Sequence, residues 1–181
     1  MARLTVRALA LTVGIGLLGV GSYAIAGDGT KNFQGKELSG YEENPDVSTL
    51  GTGSFEGRLS KDGTKLAYEL TYSGLQGNVT QSHIHFGKRG VNGGISMWLC
   101  QTPLAVAPAV SADAPTCPQA GTVTGELDAT DVIGPTGQLI GPGEFNEILA
   151  AMRAGHAYAN VHSTLVGTGE IRAQINDNDG D

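Results

Sequence analysis

Residues 51–72 constrain the fold more than any other stretch, because their side chains change character at nearly every step. Phe55, Gly57 and Leu59 fall on one side of an extended segment, with Ser54, Glu56 and Arg58 on the other. After Lys61-Asp62-Gly63-Thr64 the pattern resumes, with Leu66, Tyr68, Leu70 and Tyr72 against Ala67, Glu69 and Thr71. A period of two marks strands with one buried face. Asp-Gly supplies the positive φ of a tight turn, so the two segments form an antiparallel hairpin. A chain built from such units must cover a sheet face with another layer.

Comparable short segments recur along the chain. Residues 36–40 read as a short edge strand, and 79–86, 95–100, 121–127, 157–163 and 169–175 as further strands, separated by glycine-rich turns. A single helical signal interrupts them. Phe145, Ile148, Leu149 and Met152 fall at i, i+3, i+4 and i+7. Glu144 and Glu147 open that segment, and Arg153 and Gly155 close it. The expectation is an all-β, antiparallel β-sandwich with one short helix near residues 144–154. Strands and helices do not alternate, which excludes a parallel sheet.

The first residues carry a different message. Arg3 and Arg7 precede the apolar run 8–20, and Ala24-Ile25-Ala26 is a small-x-small cleavage site. Residues 1–26 therefore read as a cleaved signal peptide, too short in its apolar part for a membrane span. Residues 27–35 read as a flexible mature N-terminus, 36–175 as one domain and 176–181 as an acidic tail. The chain has 11 basic and 18 acidic residues, and loss of the leader removes two of the basic ones. An acidic surface without a lysine or arginine run argues against nucleic acid and anionic membrane as partners. No membrane span remains after cleavage, and the product is exported to the periplasm or secreted.

Cys100 and Cys117 are the two cysteines, and an even count in an exported chain reads as one disulfide. Neither has a second cysteine or a histidine at metal-ligand spacing. A loop of this size is worth about 3 kcal/mol by the chain-entropy argument.

Chemistry concentrates in Ser82-His83-Ile84-His85-Phe86-Gly87 and in Asn160-Val161-His162. Side chains two apart on a strand point the same way, so His83 and His85 share a face, opposite Ile84 and Phe86. His162 shares its face with Tyr158 and Asn160, opposite Ala157, Ala159 and Val161. If the apolar sides are core, all three histidines meet on an outer surface. Neutral imidazoles suit Cu or Zn, with His156 as a candidate fourth ligand. The competing reading has His83 and His85 bonding into loops to fix the glycine-rich turn, and His156 answering the carbonyl end of the helix.

No Gly-x-Ser-x-Gly elbow or phosphate-binding loop is present. Glu42-Glu43 reads as a solvated pair beside a turn. Asn78-Val79-Thr80 is a glycosylation sequon, significant only in a host that glycosylates. Residues 177–181 resemble the start of a calcium loop but lack its closing glutamate.

Longer runs carry a family resemblance. His83-Ile84-His85-Phe86-Gly87, Val91-Asn92-Gly93-Gly94-Ile95, Leu99-Cys100 and Cys117-Pro118 resemble a bacterial chordin-type (CHRD) domain. So do Gly121-Thr122-Val123-Thr124-Gly125, Gly143-Glu144-Phe145, Ala157-Tyr158-Ala159-Asn160-Val161-His162 and Gly169-Glu170-Ile171-Arg172. The chain departs from the family at Leu165-Val166-Gly167-Thr168-Gly169, where a proline and paired glycines are usual, and at Ala173, where glycine is.

The resemblance implies an immunoglobulin-like sandwich. It also implies likeness to copper-zinc superoxide dismutase, which has a His-x-His strand and a later histidine strand. This chain lacks the further histidines and aspartate of that bimetallic site. In animal chordin such domains are repeats of a secreted antagonist of bone morphogenetic proteins, whereas the bacterial stand-alone versions have no settled activity. The expectation is a non-catalytic binding or structural module of the cell envelope or extracellular space, with a protein or glycan partner, rather than an enzyme. The alternative is a copper- or zinc-binding protein using His83, His85 and His162.

Overall fold

The computed structural model describes residues 32–177. The expected leader, and residues 27–31 and 178–181, lie outside the described residues. Eight strands follow in chain order: β1 (Asn32–Ser39), β2 (Thr52–Leu59), β3 (Leu66–Ser73), β4 (Val79–Phe86), β5 (Gly94–Gln101), β6 (Gly121–Leu127), β7 (Ala157–Ser163) and β8 (Ile171–Asp177). The helix α1 (Phe145–Arg153) lies between β6 and β7. The strands form one sheet in the order β5-β4-β7-β8-β1-β2-β3-β6. Every neighbouring pair is antiparallel.

The β2–β3 hairpin forms in the expected register, Phe55 opposite Leu70 and Gly57 opposite Tyr68. Gly63 takes φ 75° in the turn, and Asp62 Oδ1 accepts from the Ser60 and Thr64 hydroxyls. The sheet then curls back on itself. Tyr68 on β3 donates its hydroxyl to Leu99 O on β5 at 2.5 Å, although those strands are far apart in the order. Inside the curl lies one apolar core with Phe33, Phe55, Leu66, Leu70, Ile84, Met97, Leu99 and Val161 among its members. Burying a side chain of this size contributes about 1.5–3 kcal/mol. The helix adds Phe145, Ile148, Leu149 and Met152 to the same cluster, the stripe read from the sequence, and Gly155 beyond its end takes φ 66°.

The Cys100–Cys117 disulfide is formed, with Cα atoms 5.0 Å apart. It joins the end of β5 to the segment leading into β6, the two edges of the sheet. No helix among the described residues is long and apolar enough to cross a membrane.

Two expectations need correction. The first strand is not an edge strand. It starts at Asn32, inside the stretch expected to be loose, and pairs with both β2 and β8. A bulge at Lys36-Glu37, with Glu37 at φ 59°, breaks the period of two, so Phe33 and Leu38 both reach the core from positions of opposite parity. The C-terminal end is also more ordered than expected. Asn176 and Asp177 continue β8 opposite Gln34 and Phe33.

Candidate metal centre

All seven residues of β7 are buried, so this strand is covered on both faces. Ala157, Ala159 and Val161 join the apolar core. Tyr158, Asn160 and His162 belong to a second, polar layer on the opposite face. The strand order places β7 between β4 and β8, so this layer gains His83 and His85 from one side and Arg172 and Gln174 from the other. His83 pairs with Asn160 and His85 with Tyr158 across β4–β7. His162, two residues beyond Asn160, is a diagonal neighbour of His83.

The three histidines share a face as expected, but that face is not a surface. His83, His85 and His162 are 0%, 7% and 5% exposed. Loops roof them. The Arg172 guanidinium donates to the carbonyls of Lys88 and Val91, Asn92 donates to Asn44 O, and Asn160 donates to Glu43 Oε1 at 2.5 Å. Thr49 and the N–H groups of Gln76 and Gly77 donate to the Glu170 carboxylate. Alternation reveals which side chains share a face. It carries no information about a roof made of irregular segments far away in the chain.

One ring nitrogen from each of His83, His85 and His162 can be chosen so that all lie within 4.8 Å of one another. The tautomers follow from the partners. His85 Nδ1 lies 3.0 Å from Gly93 O, and His162 Nδ1 lies 3.0 Å from Gly167 O. A carbonyl only accepts, so both Nδ1 atoms carry hydrogen and both Nε2 atoms present lone pairs. His83 Nδ1 is 3.1 Å from His162 Nε2 and donates to it. The Nε2 atoms of His83 and His85 are buried with no hydrogen-bond partner.

Burial holds all three rings neutral. It pushes His83 down to about 2, with the neighbouring His162 and His85 adding to the effect. It pushes His85 down to about 4 and lowers His162. Neutral imidazoles with their far nitrogens fixed to backbone carbonyls have the form required of metal ligands. The residues therefore fit a transition-metal ion. His85 and His162 would present Nε2, and His83 a nitrogen freed by exchanging tautomer. His156 is not in the group. It is exposed just after α1, where the chain has left the helix but not yet entered β7.

Sequence reasoning missed the aromatic and charged frame. Trp98 stands edge-on to His83, ring centroids 4.3 Å apart, and Tyr158 stacks on His85 at 4.7 Å. Arg172 lies 3.8 Å over the Tyr158 ring. Its place between Ile171 and Ala173 on a strand with an apolar face was the available signal. Glu42-Glu43 is not a solvated pair. Glu42 pairs with Arg89, whereas Glu43 is buried against Asn160. Burial lifts the Glu43 carboxyl to about 7, despite the opposing pull of Arg172.

A protein-family model, described as CHRD domain, matches residues 35–175. The chain belongs to the CHRD-domain family. The matched span takes in β2 to β7, most of β1 and β8, the helix, the disulfide and all three clustered histidines of this CHRD domain. No curated protein and no solved structure matches it.

Proposed function

We propose that this CHRD domain binds a single copper or zinc ion through His83, His85 and His162, as an exported, non-catalytic binding module. One observation carries the reading: the His85 Nε2 lone pair is buried without a partner, in a group of three buried imidazoles that can each bring one ring nitrogen within 4.8 Å of the others. Leaving buried polar atoms unpaired costs about 1–3 kcal/mol each. A bound cation removes that cost. A purely structural role would be served as well by side chains that leave nothing unpaired.

Isothermal titration of Cu(II) and Zn(II) into the metal-free domain tests the proposal, beside a His83→Ala/His85→Ala variant. The expected result is saturable one-to-one binding that the variant loses while keeping its far-ultraviolet spectrum. Absence of binding of both divalent ions, and of Cu(I) supplied anaerobically, to the parent domain would end the metal reading.

Export is supported by the leader pattern of residues 1–26 and by a disulfide suited to an oxidising compartment. The intact mass of the protein recovered outside the cytoplasm should match a chain starting at Gly27. A mass that includes residues 1–26 would count against cleavage.

A further inference from the structure

We infer that the histidine centre is built for cuprous copper, Cu(I), in preference to a divalent ion. This rests on the metal-binding reading above and concerns which ion that centre holds.

The donor set is neutral. The grouped ligands are three imidazoles, with no carboxylate or thiolate among them. An ion in this layer keeps its whole charge, and the Born cost of burying a charge grows as its square. In a buried site a divalent ion therefore needs compensating anions far more than a monovalent one does.

The surroundings supply a cation instead. Arg172 is 1% exposed and stacks on Tyr158, which stacks in turn on His85. The buried carboxylates are engaged by other groups and are not among the clustered ligands. Glu170 is taken up by Thr49, Gln76 and Gly77. Glu43 accepts from Asn160, and burial lifts its carboxyl to about 7.

Coordination number points the same way. Zinc bound by three protein ligands completes its tetrahedron with a water or substrate. Here Trp98 closes on His83 and Tyr158 on His85, and all three histidines are at least nine-tenths buried. A monovalent d10 ion is content with three nitrogen donors. Selection thus comes from charge and coordination number rather than from the thiolate softness that often selects Cu(I).

The test is a set of parallel competition titrations of the metal-free protein under anaerobic conditions. Cu(I) is supplied as its bicinchoninate complex, and Zn(II) and Cu(II) from chelators of known affinity. The expected result is one Cu(I) per chain, held at least roughly tenfold more tightly than Zn(II), a gap of about 1.4 kcal/mol. Zn(II) or Cu(II) bound as tightly as Cu(I) would overturn the inference and leave the metal site standing. Failure to bind all three ions would overturn both. The His83→Ala/His85→Ala variant should fail to withdraw Cu(I) from bicinchoninate. Unchanged withdrawal by it would place the copper elsewhere and overturn the assignment.

Discussion

His85 directs its two ring nitrogens to opposite tasks, one donating to the Gly93 carbonyl and one left bare in the polar layer. Such a ring resists protonation, and that resistance has a measurable consequence in the metal-free protein. Unfolded histidines take up protons near pH 6.5, whereas burial delays uptake to about 4 for His85 and about 2 for His83. Acidification below 6.5 therefore favours the unfolded chain, by up to about 1.4 kcal/mol per pH unit for each such histidine. Glu43 acts with the opposite sign. Its carboxyl, lifted from 4.5 to about 7, stabilises the fold fully below 4.5 and loses that contribution as pH rises through 7. Between pH 6.5 and 4.5 it opposes the histidines. The melting temperature should fall across that window, and Glu43→Gln should make the fall steeper. A flat profile in both proteins would contradict the buried neutral rings.

Elements differ in how openly their sequences announce them. The hairpin of β2 and β3 and the stripe of α1 are local patterns, each complete within about two dozen residues or fewer, and both are where the sequence places them. The first strand hides because its bulge shifts the buried parity between Phe33 and Leu38. The histidine pair on β4 was legible, and so was its third member on β7, because alternation survives in both strands. The disulfide belongs to this scale too, since it ties edge strand β5 to the segment leading into edge strand β6 across a separation of 17 residues. Replacing both cysteines by alanine should cost about 3 kcal/mol, read as a lower urea midpoint. A midpoint within error of the parent would mean that β5 and β6 hold their places without the bond.

Across the whole molecule, one curled sheet separates two interiors: an apolar core within the curl and a roofed polar layer behind β4, β7 and β8. The first was readable because apolar residues mark it. The second was not, since its roof comes from Glu43, Asn44, Thr49, Lys88, Val91 and Gly167, loop residues without a period. β7 feeds both interiors from alternate residues, so neither can come apart while the other stays intact. Trp98, the only tryptophan, sits against His83 and reports on the polar layer. Its fluorescence and the far-ultraviolet signal of the sheet should lose their native values in a single coincident urea transition. Separate transitions would show that the roofed layer melts on its own.

The pairing of Phe33 with Asp177 brings the two ends of the domain side by side at one end of adjacent central strands. Tension applied through those ends would not load the β1–β8 hydrogen bonds together, as shear does. It would open them singly, like a zipper, from Phe33 and Asp177 inward. As a mechanical object the domain is therefore a pendant, hung by its most easily parted seam, with the disulfide-bound edges and the histidine layer carrying little of the early load.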